Sequence, residues 1–294
     1  MTSAINTLTE PTTRLLQAPA QPIPLARPIP GKLLETEIIA LPRAQCLLGQ
    51  SNIQIYVAAA DQIPEVLLEI GRLREMTFRL IGEGTGNARD IDQYDNHYEH
   101  IIAWNNESKE IVGAYRLGRL DKILSQKGLD GIYTSSLFHF DEQLVKDLGA
   151  TLEVGRSFVV PSYQGSSALT LLWRGIGSFI ARNPIYTKLS GVVSIDRNYS
   201  DTVIEIMLQY LRANHQETTF GHRITPKTPF RSMTPISQSD IKKVVSSLST
   251  PQELCHTVKR LQKDGRSIPI LLKHYLLLGA RELDFNVDPD FSDV

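Results

Sequence analysis

Two charged side chains stand inside an otherwise apolar stretch, LEVGRSFVVP at residues 152 to 161: Glu153 and Arg156, with Gly155 between them. Burying either charge is costly unless it is paired or used. On a flat strand the two point to opposite faces, because side chains alternate. A glycine within a strand often marks a bulge, and one bulged residue reverses that parity and turns both charges into one cleft. There Glu153 is a candidate general base. Arg156 is placed to hold it or to receive a substrate carboxylate in a two-point contact. A structural ion pair is the competing reading. Ahead of the strand lie Arg74 and Phe78, four residues apart and so on one helix face, the loop GEGTGNARDIDQYD carrying Asp92 and Asp95, and Arg116 within EIVGAYRLG. Plain readings are an exposed Arg beside a core Phe, a solvated acidic loop and an edge-strand Arg. Sharper ones are a seat for a cationic substrate, or a charge network joining the aspartates to Arg74 and Arg116. Gly165, Ser166 and Ser167 precede an apolar helix, whose first N–H groups form a cradle for a phosphate without being a Walker loop.

The elements that must position these residues follow from periodicity. Residues 1–34, rich in Pro, Thr and Ala, read as a flexible or extended tail. NIQIYVAAA alternates as a strand, and after Pro64 the apolar residues recur at helical spacing until the glycine-rich loop. HIIAW and EIVGAYRLG form an antiparallel hairpin about NNESK, and a strand follows at about 151 to 160. Leu169, Leu172, Trp173, Ile176, Phe179 and Ile180 make a helix face closed by Asn183-Pro184. LSGVVSID reads as another strand and SDTVIEIMLQYLRAN as another helix, after which short helices continue to the end. The order argues an α+β fold, a mixed, mostly antiparallel sheet flanked by helices. Residues 35–234 form the core and 235–294 a helical extension of the same domain.

A net charge of −1 across 294 residues gives no global attraction to nucleic acid or an anionic membrane. Cys46 and Cys255 match no metal-ligand spacing, so no metal site is expected and a reduced, cytoplasmic setting fits. The first residues lack a secretory pattern, and IPILLKHYLLLGA, interrupted by Lys273 and His274, is too short to span a bilayer.

Taken together, Arg74-xxx-Phe78, Asp92-xx-Asp95, Gly113-xx-Arg116 and Glu153-xx-Arg156 resemble the pattern of the acyl-homoserine-lactone synthases, which are GNAT-fold enzymes. The aromatic residue that family carries shortly after its Phe is missing here, where Gly84 and its neighbours stand. A closer resemblance is to the hemolysin-like or ornithine-lipid-type N-acyltransferases. It rests on REMTFRLIGEGTG, DIDQYD, IVGAYRLG, EVGRSFVVPSYQ, LLWRGIG, GVVSIDRNYS and FNVDPDFSDV, and covers about residues 34 to 294. That resemblance implies a GNAT-like fold and transfer of a fatty acyl chain, often 3-hydroxylated, from acyl carrier protein to the α-amine of ornithine or glycine. The product is a lyso-aminolipid, completed by a separate O-acyltransferase. It implies no permanently bound cofactor: the co-substrate is a phosphopantetheine thioester on acyl carrier protein, or acyl-CoA.

In that scheme Arg74, Phe78, Asp92, Asp95 and Arg116 order or contact the amino-acid pocket. Backbone at Phe158, Val159 and Val160 pairs with the pantetheine arm, and Gln164, Gly165 and Ser166 receive its phosphate. Trp173, Ile176 and Phe179 either line an acyl channel or pack on the sheet. Docking of an acidic carrier protein calls for a basic patch, offered by Lys259, Arg260, Lys263 and Arg266 or by Arg223, Lys227 and Arg231. An enzyme releasing a lipid is compatible with peripheral contact at the inner face of the membrane. The alternatives are an acyl-CoA-dependent GNAT acting on a small amine, and a membrane-active hemolysin-like protein that is no enzyme.

Overall fold

The computed structural model describes residues 22–232, 237–291 and 294. In chain order these form α1 (Gly31–Ala40), β1 (Cys46–Gln50), β2 (Ile53–Ala59), α2 (Pro64–Arg79), β3 (Glu99–Asn105) and β4 (Glu110–Arg119). Then come α3 (Leu120–Lys127), α4 (Thr134–Leu137), β5 (Phe138–His139), α5 (Glu142–Leu148), β6 (Thr151–Val159), α6 (Ala168–Arg182) and β7 (Lys188–Ser190). The rest is α7 (Asp201–His215), β8 (Thr225–Pro226), α8 (Gln238–Ser246), α9 (Pro251–Leu261) and α10 (Ile270–Leu277). The main sheet runs β1-β2-β3-β4-β6-β7, antiparallel except for the last pair. This is the mixed, mostly antiparallel α+β architecture expected from the sequence.

Alternation along the strands divides the core in two. Ile102, Trp104, Ala114, Phe158 and Val160 lie under α1 and α2, against Leu34, Ile38, Val66, Ile70, Leu73 and Phe78. On the opposite face Ile101, Ala103, Tyr115, Leu117, Leu152 and Val154 meet Leu171, Leu172, Ile176 and Phe179 of α6. A third cluster joins α7, α8, α9 and α10 through residues such as Ile206, Tyr210, Leu254 and Leu272.

Two local features make the site. Ala114 pairs with Phe158 and Arg116 with Gly155, so Arg156 and Ser157 both stand opposite Tyr115. That is a β-bulge, and Arg156 rather than Gly155 takes the left-handed conformation, with φ 49. The parity reversal expected of the glycine therefore occurs one residue later. It puts odd-numbered Glu153 on the same face as even-numbered Phe158 and Val160. Gly113 permits the close strand approach here, since a Cβ at that position would lie 2.5 Å from the Phe158 carbonyl oxygen.

The second feature is an opening. β7 pairs with β6 only over Thr151–Glu153. A Cβ on Gly191 would lie 2.1 Å from the Val154 carbonyl oxygen, so the two backbones still touch there. Past that point β6 runs on to Val159 with no strand on its outer edge among the described residues. The stretch LSGVVSID is thus a strand only at Lys188–Ser190, because β6 diverges and offers the rest no ladder.

Other departures concern the ends. Residues 1–21 of the expected tail lie outside the described residues, but 22–30 are held to the body. Ile23 N–H donates to Gly86 O at 2.8 Å, Ala26 N–H to Ala88 O at 3.0 Å and Ile29 N–H to Glu69 Oε2 at 3.1 Å. The tail boundary at 34 falls inside α1. No helix among the described residues is long and apolar enough to cross a membrane.

Candidate active site

On the α2 side of the sheet, three arginines and three aspartates interlock. Arg74 of α2 is 1% exposed. Its Nε donates to Asp90 Oδ2 at 2.8 Å, and its two terminal nitrogens donate to Asp95 Oδ1 at 3.1 Å and Oδ2 at 2.8 Å. Arg116 of β4 donates to Asp92 Oδ1 at 2.5 Å and lies 3.4 Å from Asp95 Oδ1. Asp92 also caps the turn at 93–96, accepting from Tyr94 N–H at 2.9 Å and Asp95 N–H at 3.3 Å. Burial opposes ionisation of Asp95, but Arg74 and Arg116 overrule it and hold its carboxyl well below the usual range. Beside them, burial pushes His100 down to about 4, against its bond to the Asp95 carbonyl oxygen and with help from Arg74 and Arg116. The charge-network reading of Arg74, Asp92, Asp95 and Arg116 is the one observed. Asp90, which carries half of Arg74's partnership, was not singled out by the sequence: nothing local separates it from the other acids of ARDIDQYD.

Glu153 points to the same side but makes no pair with Arg156. Oε1 accepts from Thr134 N–H at 2.9 Å and from the Thr134 hydroxyl; Oε2 accepts from the Tyr98 hydroxyl and from Tyr133 N–H at 3.2 Å. A carboxylate has about four lone-pair sites. All are taken in this arrangement, two of them by hydroxyls. Burial, with Glu153 alongside, in turn raises the Tyr98 hydroxyl far above its ordinary value. Tyr98, Tyr133 and Thr134 escape sequence reasoning, because they meet Glu153 only in three dimensions.

Arg156, 11% exposed at its side chain, is loosely held by comparison. Its terminal nitrogens lie 3.6 Å from Asp90 Oδ2 and 3.4 Å from Asp92 Oδ2, while Nε is buried without a hydrogen-bond partner among the described residues. The guanidinium rests between the rings of Tyr133 at 5.1 Å and Phe291 at 4.5 Å. Phe78 meets Phe291 edge-on at 5.4 Å, so it reaches the cluster through the C-terminal residues.

The expected donor-binding residues are only partly available. The backbone of Phe158 pairs with Ala114 of β4, and Val160 N–H donates to Val112 O at 3.0 Å. Antiparallel alternation then turns the N–H of Val159 away from β4 and toward the opening. Its carbonyl accepts from Gln164 Nε2 at 3.1 Å. Gly165 adopts φ 79, and the Ser166 hydroxyl donates to Tyr163 O at 2.6 Å while accepting from Ala168 N–H at 3.2 Å. The turn is exposed, Ser166 meets one N–H of the first turn of α6, and Ser167 at the N-cap makes no side-chain cap bond. Ile176 and Phe179 belong to the sheet core rather than to a channel, and Trp173 is half-buried. Of the basic residues, Arg223 pairs with Asp141 and Asp147, Lys227 donates to Ser135 O, and Arg266 pairs with Asp196 and Asp264. Lys259, Arg260 and Lys263 are exposed.

A further carboxylate borders the opening. Glu83, 4% exposed, follows α2 and accepts from Ser194 Oγ at 2.8 Å, in the segment that leaves β7. Burial, partly offset by the Ser194 bond and reinforced by Asp196, pushes it up to about 6 from 4.5. A folded-state value above the unfolded one favours the fold below pH 4.5 and loses that contribution as pH rises through about 6. Glu83→Gln removes the ionised form and is expected to gain about 2 kcal/mol at pH 7.5 and under about 1 kcal/mol at pH 5. Urea unfolding at the two pH values measures the difference; an equal gain at both would refute a titrating Glu83.

The sequence matches the acetyltransferase (GNAT) domain family over residues 73–174, the span that contains Arg74, the aspartates, Arg116, Glu153 and Arg156. The chain is 31% identical over 284 residues to a glycine N(alpha)-acyltransferase of Bacteroides thetaiotaomicron, covering 92% of this chain and 83% of that protein. It is 33% identical over 285 residues to a glycine N(alpha)-acyltransferase of Phocaeicola vulgatus, covering 91% and 85%. An L-ornithine N(alpha)-acyltransferase of Rhizobium meliloti is 31% identical over 119 residues, 38% of this chain and 39% of that protein. The chain belongs to the amino-acid N(alpha)-acyltransferase family, with the GNAT-like fold its motifs resemble.

Proposed function

We propose that the chain transfers a fatty acyl group from a thioester on acyl carrier protein to the α-amine of glycine, giving an N-acyl amino acid. The observation that carries the reading is Arg156, a buried guanidinium with an unpartnered Nε and two long contacts to aspartates. It is a ready receiver for a substrate α-carboxylate. Glycine is favoured over ornithine because Asp90, Asp92 and Asp95 are already committed to arginines and offer no free carboxylate to a second ammonium. The relatives that align over most of the chain also bear glycine in their names.

The acyl donor lies along the unpaired edge of β6, where the outward N–H of Val159 can bond to it as an added strand does. Arg156 fixes the carboxylate and so sets the direction of the amine. Once the ammonium has lost a proton, its nitrogen forms a bond to the thioester carbonyl carbon. The C–S bond breaks, the thiolate leaves and takes up a proton, and the nitrogen sheds its remaining excess proton. No acyl-enzyme is needed, and Arg74, Asp90, Asp92, Asp95 and Arg116 hold Arg156 and its loop in register. Exposed Lys259, Arg260 and Lys263 on and after α9 suit an acidic carrier protein. The product is amphiphilic, a lyso-aminolipid suited to a separate O-acyltransferase, which fits a cytoplasmic enzyme working against the inner face of the membrane.

The test is purified protein with glycine or ornithine and a long-chain acyl thioester of carrier protein or CoA, read by mass spectrometry. N-acylglycine is expected; no N-acyl product from any combination sinks the reading. Arg156→Ala is expected to lower kcat/KM for glycine on the order of 10²-fold, mainly through KM, because a charge pair is lost. Glycinamide, which has no carboxylate, should be an equally poor substrate for both forms.

A further inference from the structure

Behind the bulge, on the α6 side of the sheet, polar groups converge without completing one another. Tyr115, 1% exposed, faces the two bulged residues across the ladder. Around its hydroxyl stand Ser157 of the bulge, Tyr275 of α10 and Trp173 of α6. The Trp173 ring lies edge-on to both tyrosines, at 6.0 Å from Tyr115 and 5.5 Å from Tyr275. Yet the Tyr115 hydroxyl and Trp173 Nε1 are both buried, and close as these groups come, neither atom completes a hydrogen bond of proper geometry among the described residues. An indole N–H only donates. Leaving it and a phenol unpaired in the interior costs about 1–3 kcal/mol each. Such a deficit is most simply met by an acceptor atom that arrives from outside.

The arrival route is short. Among the described residues no strand pairs with the outer edge of β6 at the bulge, and Ser157 there points to the side opposite Arg156. An acyl thioester laid along this edge has the arginine–aspartate cluster on one side and the Tyr115 group on the other.

We propose that Tyr115, Trp173, Tyr275 and Ser157 form a subsite for an oxygen of the acyl donor, resting on the transfer reading above. The oxygen is either the thioester carbonyl, whose charge grows as the amine adds, or an oxygen substituent on the next carbons of the chain. Both present the same acceptor chemistry to donors from three elements, β4, α6 and α10, and from the bulge.

The experiment compares wild type, Tyr115→Phe and Tyr275→Phe with two donors of equal length, a palmitoyl thioester and its 3-hydroxy counterpart. Tyr115→Phe is expected to lower kcat/KM at least about tenfold, a loss of about 1.4 kcal/mol. It should leave thermal stability close to that of wild type, because the hydroxyl removed has Ser157, Tyr275 and Trp173 near it but completes no well-formed hydrogen bond. An equal loss with both donors, in kcat, assigns the carbonyl oxygen; a loss confined to the hydroxylated donor assigns the substituent. Unchanged kinetics with both donors overturns the subsite, as does a loss of activity that tracks a loss of stability. Wild type inactive with both donors and every amino acid fails the transfer reading first, and the subsite with it.

Discussion

Arg74→Met is expected to destabilise the protein by about 3–5 kcal/mol, a large part of the stability of a typical domain. Methionine keeps the length and apolar stem of arginine, so little packing is lost. What it leaves behind is two carboxylates in a site that water does not reach. Asp90 would keep only Arg156, at 3.6 Å, and Asp95 would keep Arg116 at 3.4 Å and the Asp92 N–H at 2.9 Å. Removing one partner from a buried ion pair is worse than removing both, because the desolvation cost of the remaining charge is no longer offset. Arg74→Met with Asp95→Asn should therefore recover part of the loss. Arg74→Lys should fall between, since an ammonium cannot hold Asp90 and Asp95 with the same planar fork. Urea denaturation of the four proteins decides it. A loss under about 1 kcal/mol for Arg74→Met would mean the network is solvated, as surface pairs are.

Part of this network was legible because charge in an apolar context is conspicuous. Glu153 and Arg156 in LEVGRSFVVP demand partners whatever the fold, and Gly155 announced a bulge close by. The bulge settles on Arg156 because the ladder register between Ala114 and Arg116 fixes where the extra residue must go, and only the paired strand knows that register. Glu153's partners were out of reach for a related reason. Tyr98 lies 55 residues away in sequence and Thr134 19 residues away, in a run of short helices between Leu120 and Leu148 to which the pattern gave no element. Helices of four to eight residues carry too few turns for periodicity to register. The C-terminal Phe291 is similarly invisible until the fold brings it over Arg156. Phosphate-cradle reasoning on Gln164, Gly165 and Ser166 met a different limit. A serine before a helix satisfies that helix's own N–H groups as readily as it leaves them open for a ligand; Ser166 takes the N–H of Ala168, while Ser167 at the N-cap makes no side-chain cap bond.

Glu153→Gln separates the two roles that this carboxylate can have. Its four acceptor sites hold the Tyr98 hydroxyl and the Tyr133–Thr134 backbone against β6. An amide offers one oxygen and turns an N–H₂ group on the other pair of donors; the hydroxyl of that pair can rotate to accept, and Tyr133 N–H also reaches the Tyr98 oxygen at 2.9 Å, so at most one buried N–H loses an acceptor. The expected destabilisation is about 1–3 kcal/mol. Tyr133 carries one side of the Arg156 seat. Acyl transfer is therefore expected to fall on the order of 10²-fold as that ring shifts, since small misplacements of a substrate clamp have effects of this size. The pH profile tells positioning from proton transfer. A residue that only holds others leaves the limbs of kcat/KM where they were and lowers the plateau. A residue that accepts the proton takes the acid limb with it, and its variant recovers as pH rises and the amine deprotonates in solution. Tyr98→Phe and Thr134→Val each remove one donor and should show the same unshifted profile with smaller losses in stability and rate. An acid limb lost in Glu153→Gln, with stability unchanged, would restore Glu153 as the base and require the Tyr133–Thr134 segment to move aside when substrate binds.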